Sequence, residues 1–227
     1  MIKVTENLRK IQDLLDLETQ LAGRPAGSVQ LLAVSKMQPV ESVLQAARGG
    51  QRHFGENFVQ EGVDKMRATG RDDLIWHFIG HLQSNKSRHV AENFQWVHTV
   101  DRVKIARRLS EQRPDEAGGL NICLQVNIDN EESKSGILPN DVAAVAAEVA
   151  AMPRLTLRGL MCIPAIRNTQ AEQREPFARM AALRETLNQG GLKMDTLSMG
   201  MSADYAAAIH EGATIVRIGS ALFGARG

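Results

Sequence analysis

The sequence has few of the features that mark secreted, membrane-bound or nucleic-acid-binding proteins. It contains only two cysteines, and its 27 basic residues nearly balance 26 acidic ones. A net charge of +1 argues against a nucleic-acid partner. No apolar run reaches the length of a membrane span, and the polar start MIKVTENLRK lacks the apolar core of a signal peptide. We therefore expect a cytoplasmic protein that binds neither nucleic acid nor membrane, with Cys123 and Cys162 reduced and buried.

Histidine and tyrosine are also scarce, with six histidines and one tyrosine in 227 residues. The histidines show no metal-ligand spacing, so we expect no metal site. His81 follows a strand-like segment, and we interpret it as a surface or hydrogen-bonded residue rather than as a general base.

What the sequence does contain is a regular alternation of strand-like and helix-like segments. A stripe of apolar residues at helical spacing, from Val4 to Leu15, predicts an N-terminal helix. Eight apolar strand-like segments follow, separated by helix-like ones: VQLLAVSK, HFGEN, IWHFIG, WVHTV, NICLQVNI, TLRGLMCI, TLSMG and TIVRIG. Strands that are apolar throughout belong in a parallel sheet covered on both faces. We therefore predict a single (β/α)8 barrel domain, a TIM barrel, over residues 1–227. A doubly wound open sheet is the alternative, but no GxGxxG turn favours it.

The barrel prediction gives a position to a lysine at the end of the first strand. In such barrels the chemistry lies at the carboxyl ends of the strands. Lys36 follows LLAVS, so its amine is expected over the barrel mouth, where loss of water favours the neutral, nucleophilic form. Asn57 ends the second strand, and it is expected to line the same pocket, to cap the helix that follows, or to do both.

The loops after the seventh and eighth strands, SMGMS and VRIGSALFG, have the features of a phosphate site. Barrels often bind phosphate at these two loops and at the N-terminus of a short extra helix. Gly219 and Ser220 begin that helix, and Gly200 and Ser202 face them from the neighbouring loop. Arg217 adds a permanent positive charge, although a structural salt bridge is an alternative role for it.

A lysine and a phosphate site across one barrel mouth predict a phosphorylated aldehyde as the ligand. Pyridoxal 5'-phosphate (PLP) carries both groups, and it would form a Schiff base with Lys36. An aldolase acting on a phosphorylated sugar is a competing interpretation. It would need an acid–base pair, and Glu56, the one strand-end acid nearby, is next to Asn57 and therefore points to the opposite face.

Several segments of the chain also resemble, in order, those of a known family, the pyridoxal phosphate homeostasis proteins (YggS/PROSC-like). They are AVSKMQP, HFGENFVQE, WHFIGHLQSNK, NIDNEESKSG, LRGLMCIPA, SMGMSADYAAAI and VRIGSALFGAR. The resemblance implies a barrel similar to the N-terminal domain of bacterial alanine racemases, with PLP bound covalently to Lys36. It further implies a role without evident catalytic turnover, in which PLP is bound, buffered or delivered, with PLP-requiring apo-enzymes as recipients. The residues that match the family's pocket are Asn57, Ser202, Arg217, Gly219 and Ser220.

A PLP-dependent amino-acid racemase is the second hypothesis. Such an enzyme needs proton transfer on both faces of its substrate, and Lys36 serves only one. In racemases of similar fold a tyrosine from a second domain serves the other face. This chain ends directly after the eighth unit and has only Tyr205, so we expect a carrier, and a monomer, rather than a racemase.

Overall fold

The computed structural model describes residues 4–132 and 134–224, and in it eight parallel strands close into one barrel. Consecutive strands are neighbours, and the last strand pairs with the first, Leu31 lying opposite Val216. The predicted (β/α)8 barrel is therefore confirmed, with small shifts at the strand ends. The strands are β1 (Gln30–Val34), β2 (His53–Glu56), β3 (Ile75–Phe78), β4 (Trp96–Val100), β5 (Leu120–Val126), β6 (Leu155–Cys162), β7 (Thr196–Met201) and β8 (Ile215–Ile218).

Helices connect the strands and cover the barrel. The predicted N-terminal helix is confirmed, and it buries the expected stripe from Val4 to Leu15 against its neighbours. No helix among the described residues is long and apolar enough to cross a membrane. The helices are α1 (Val4–Leu21), α2 (Val40–Arg48), α3 (Val59–Thr69), α4 (Ser87–Asn93), α5 (Val103–Gln112), α6 (Val142–Ala150), α7 (Gln170–Gln189), α8 (Tyr205–His210) and α9 (Ser220–Phe223).

The sequence left two roles open for Asn57, a pocket residue and a helix cap, and the start of α3 excludes the second. The N-cap residue of α3 is Phe58, which is itself extended, with φ −118° and ψ 126°. Asn57 therefore lies outside the helix and does not cap it. Its side chain lies at the barrel mouth.

Part of the barrel interior is polar, which is unusual because bulky aliphatic residues normally fill it. His98 on β4 lies 2.8 Å from Ser198 on β7, although these strands are not neighbours in the barrel. A contact between non-adjacent strands has to cross the interior. His77, His98 and Ser198 are fully buried, and Arg217 nearly so.

Candidate functional site

A cavity of about 190 Å³ opens at the carboxyl ends of the strands and collects all but one of the residues expected in a ligand site. It brings together residues that are far apart in the sequence, from β1 to the start of α9. Gly200 is the exception. The lining residues are Val34, Lys36, Asn57, Ile79, Met161, Ile163, Met201, Ser202, Arg217, Gly219 and Ser220.

Gly200 has a packing role instead. Its φ of +91° is one that glycine adopts readily, and a Cβ there would lie 2.6 Å from the Cβ of Ala208 on α8. The glycine therefore lets α8 approach β7 closely, which places the following loop, with Ser202, at the cavity. A direct contact between Gly200 and a ligand stays a prediction.

The residues on both sides of Lys36 are fixed by a buried ionic cluster that the sequence did not reveal. Before it, the Ser35 hydroxyl donates to Oε1 of Glu56 at 2.6 Å, and Lys65 Nζ donates to the Ser35 carbonyl at 2.5 Å. After it, the Met37 backbone N–H donates to a carboxylate oxygen of Glu61 at 2.5 Å.

Lys65 joins these groups into one unit. Its ammonium lies 2.9 Å from Glu56 and 2.6 Å from Glu61, and its side chain is only 6% exposed. Burial raises the pKa of Glu56, while Lys65 and the Ser35 hydroxyl oppose that rise. Because Glu56 is paired with Lys65 and does not line the cavity of Lys36, it does not supply the acid–base pair that an aldolase would need there.

The backbone next to Lys36 has an uncommon conformation. Met37 has a φ of +59°, a left-handed value that non-glycine residues seldom adopt. The hydrogen bond from its N–H to Glu61 helps to hold this turn, and its side chain is 61% exposed. Such conformations persist where the surroundings fix them, and they cluster at functional sites. Lys36 thus directly precedes a turn that a side-chain hydrogen bond supports.

Arg217 on β8 lies on the cavity wall and is only 5% exposed. One terminal nitrogen donates to the Ser198 carbonyl at 2.6 Å and to its hydroxyl at 2.9 Å, and the other donates to the Cys162 carbonyl at 2.9 Å. These partners are neutral oxygens, so the described contacts give no support to a structural salt bridge. Burial lowers the pKa of the guanidinium, which nevertheless stays charged at neutral pH.

Asn57 has an atom in need of a partner. Its side-chain oxygen is buried and accepts no hydrogen bond from any residue that the structure describes. A buried acceptor without a donor is costly, and a polar ligand in the cavity would satisfy it. The amine, the hydroxyls, the guanidinium and this amide together fit a small, polar, anionic aldehyde such as PLP.

His81 lies beside this site rather than in it. It lines a neighbouring cavity of about 310 Å³ that shares Asn57, Ile79 and Ile163 with the first one. The described residues contain no cluster of three or more side chains suited to a metal ion. Both cysteines are buried, as expected, and burial raises the pKa of each thiol to about 12.

Comparison with known proteins identifies the family of the chain. Residues 5–227 match the family described as alanine racemase, N-terminal domain. The pyridoxal phosphate homeostasis protein of Pseudomonas aeruginosa is 53% identical over 226 residues, which cover 100% of this chain and 97% of that protein. That of Escherichia coli K12 is 49% identical over 229 residues, covering 100% and 98%.

Solved structures extend the comparison. PipY of Synechococcus elongatus PCC7942, with PLP bound, is 37% identical, has a TM-score of 0.83, and the match covers 97% of this chain and 100% of PipY. An alanine racemase of Clostridium difficile 630 has a TM-score of 0.75 at 15% identity, and the match covers 97% of this chain and 57% of the racemase, so it shows the shared fold alone. The chain therefore belongs to the pyridoxal phosphate homeostasis protein family, which is built on the alanine racemase N-terminal domain.

Proposed function

We propose that the protein binds PLP through Lys36 and serves to hold, buffer or deliver this cofactor in the cytoplasm. The observation that carries the proposal is one cavity that contains Lys36 together with Ser202 and Ser220. It occurs in a chain that is about half identical to pyridoxal phosphate homeostasis proteins.

Each lining residue has a distinct task in this proposal. When bound, PLP supplies an electrophilic aldehyde, to which the Lys36 amine would link covalently. The hydroxyls of Ser202 and Ser220 are both exposed towards the mouth and would donate to the phosphate. Gly219 lets the backbone come close to that phosphate. Arg217 supplies positive charge at the cavity wall, beside the phosphate or the ring.

The composition of the cavity favours a carrier over a racemase. Among the described lining residues the only titratable side chains are those of Lys36 and Arg217, and an arginine stays protonated. A racemase needs a second proton donor and acceptor on the other face of its substrate. Tyr205 does not provide one from the cavity wall: it packs against the core, and burial, with the charge of Glu18 on α1, raises its pKa.

Delivery would use the surface around the barrel mouth. Several apolar side chains are exposed at the carboxyl ends of the strands or on the loops that follow them, among them Met37, Phe58, Ile166 and Met201. Phe58 is 56% exposed and Ile166 99% exposed. An apolar rim suits transient contact with a PLP-requiring apo-enzyme. The proposal includes a single cofactor-binding domain over residues 1–227. It also includes a monomeric protein, in which the mouth of the barrel stays open.

Replacement of single residues tests the roles separately. Lys36→Ala should abolish any borohydride-reducible link to PLP, since it removes the amine, while circular dichroism stays unchanged. Ser202→Ala should speed release of PLP about tenfold, the factor expected for loss of a charge-assisted hydrogen bond. Ser42→Ala, on α2 and outside the cavity, is the matched control. A link that survives in Lys36→Ala, or a release rate equal in both serine variants, would contradict the assignment.

A further inference from the structure

A chain of hydrogen-bonded side chains crosses the barrel interior and ends at Arg217. His53 Nδ1 lies 3.0 Å from His77 Nε2, and His77 Nδ1 lies 2.8 Å from His98 Nε2. His98 Nδ1 lies 2.8 Å from the Ser198 hydroxyl, which accepts a hydrogen bond from Arg217 at 2.9 Å. We call His53, His77, His98 and Ser198 the histidine relay.

The relay occupies space that a barrel normally fills with aliphatic side chains. Buried polar groups are costly unless each one is paired, and a fully paired network fixes a single arrangement. His77 and His98 are fully buried, and His53 is half-buried at the opposite end. The indole of Trp96 stacks on His77 with an angle of 14° between the planes. The rings are thus held in one orientation.

The donors and acceptors of the relay can be assigned from Arg217 outward. Arginine only donates, so the Ser198 oxygen accepts from it. The partner that the described residues offer to the Ser198 hydroxyl proton is Nδ1 of His98. His98 then carries its own proton on Nε2 and donates to His77, which in the same way donates to His53. In this assignment all three rings are neutral and carry their proton on Nε2.

The electrostatics agree with neutral rings. Burial, and to a lesser extent Arg217, lower the pKa of His98 to about 3. Burial and the two neighbouring histidines lower the pKa of His77 well below its usual value. In this arrangement each ring turns its electron-rich Nδ1 towards the Arg217 end of the chain.

We propose that the histidine relay positions Arg217 for the cofactor, with His98 and Ser198 acting as positioning residues. The oriented dipoles of the rings stabilise the buried guanidinium, whose described hydrogen-bond partners include no carboxylate, although the charge of Asp204 also acts on it. A carboxylate at that place would neutralise the charge, whereas neutral acceptors leave it available to an anionic ligand. This inference rests on the proposed function, because it assigns the relay to the same cavity.

The first test uses the protein without cofactor and is independent of PLP binding. Long-range ¹⁵N–¹H correlation spectra of ¹⁵N-histidine protein at pH 7 report the tautomer of each ring. We expect His53, His77 and His98 to be neutral with the proton on Nε2. A proton on Nδ1 of His98, or a charged ring at His98 or His77, would overturn the assigned direction of the chain.

The second test uses two amides that each imitate one nitrogen of His98. Asparagine places an acceptor near the position of Nδ1 and can keep the Ser198 contact, whereas glutamine reaches the position of Nε2 and can keep only the His77 contact. We expect His98→Gln to release PLP about tenfold faster than wild type. His98→Asn is expected to release PLP at a rate close to that of wild type. His89→Gln, on the exposed face of α4, is the control.

The outcomes distinguish the inference from the proposed function. If wild type forms no reducible link with PLP, the proposed function fails while the tautomer result still stands. If wild type binds PLP and His98→Gln and His98→Asn release it at the same rate, the positioning role is wrong. Should His98→Gln not fold, Ser198→Ala breaks the same contact from the other side and is expected to give the same faster release. Unchanged release in Ser198→Ala would then overturn the proposal.

Discussion

Acidification should destabilise the fold through His98, and the size of the effect follows from its burial. Burial, with the nearby Arg217, lowers the pKa of this ring to about 3, against about 6.5 in an unfolded chain. Between these two values the unfolded state binds a proton that the folded state does not bind. Stability is therefore fully present above about pH 6.5 and is lost as the pH falls towards 3. From pH 7 to pH 5 the loss from His98 alone is about 2 kcal/mol.

This magnitude is insensitive to the folded pKa as long as it stays well below 5, because the unfolded state sets the proton uptake in that window. His77 acts in the same direction, since its pKa is also lowered. Glu56 acts in the opposite direction, because its pKa is raised and its protonated folded form gains stability in acid. A comparison of wild type with a variant is therefore needed to isolate His98.

Urea unfolding at pH 7 and pH 5 provides the assay. We expect the change in the free energy of unfolding between the two pH values to be smaller in His98→Gln than in wild type by about 2 kcal/mol. His89→Gln, which removes an exposed histidine, is the matched control. An equal pH dependence in wild type and His98→Gln would mean that His98 is not held neutral in the folded barrel, and would refute the reasoning.

Three further predictions concern the ionic cluster, the barrel wall and the thiols. Lys65→Met should lower the free energy of unfolding in urea by about 3–5 kcal/mol, because it leaves Glu56 buried without its cation. Lys10→Met, the control, removes an exposed ion pair and should lower the same free energy by less than about 1 kcal/mol. Gly159→Ala should lower the melting temperature strongly, because the new Cβ would lie 1.8 Å from a carbonyl oxygen of β7; an unchanged melting temperature would be evidence against the close approach of β6 and β7. Both cysteines should resist a thiol reagent in the native protein and react once urea unfolds it, since burial raises both pKa values to about 12; fast native labelling would contradict their burial.

The sequence was informative where one local pattern decides the structure. The apolar runs predicted all eight strands, because a nearly continuous apolar run is typical of a parallel strand that is buried on both faces. The rule that ligands bind at the carboxyl ends of barrel strands then brought Lys36, Ser202 and Arg217 to one cavity. The N-cap alternative for Asn57 was wrong, because Phe58 occupies the N-cap position of α3 and no side chain caps that helix.

The sequence was uninformative where contacts join distant residues. Lys65 reads as an ordinary helix lysine with a partner four residues before it, and only the fold brings it to the Ser35 carbonyl. The relay likewise joins His98 to Ser198 across 100 positions. One signal was present: three consecutive strands, β2, β3 and β4, each contain a histidine where an aliphatic residue is usual. Without the register of the strands, that signal does not show which nitrogen faces which partner.

The most direct test of the central claim is the absorbance spectrum of the purified protein with added PLP, before and after borohydride reduction, followed by peptide mapping. The account predicts a yellow absorbance band that borohydride removes, with the reduced cofactor attached to the peptide that contains Lys36. A folded protein that shows no such band, or a label on a different lysine, would contradict it.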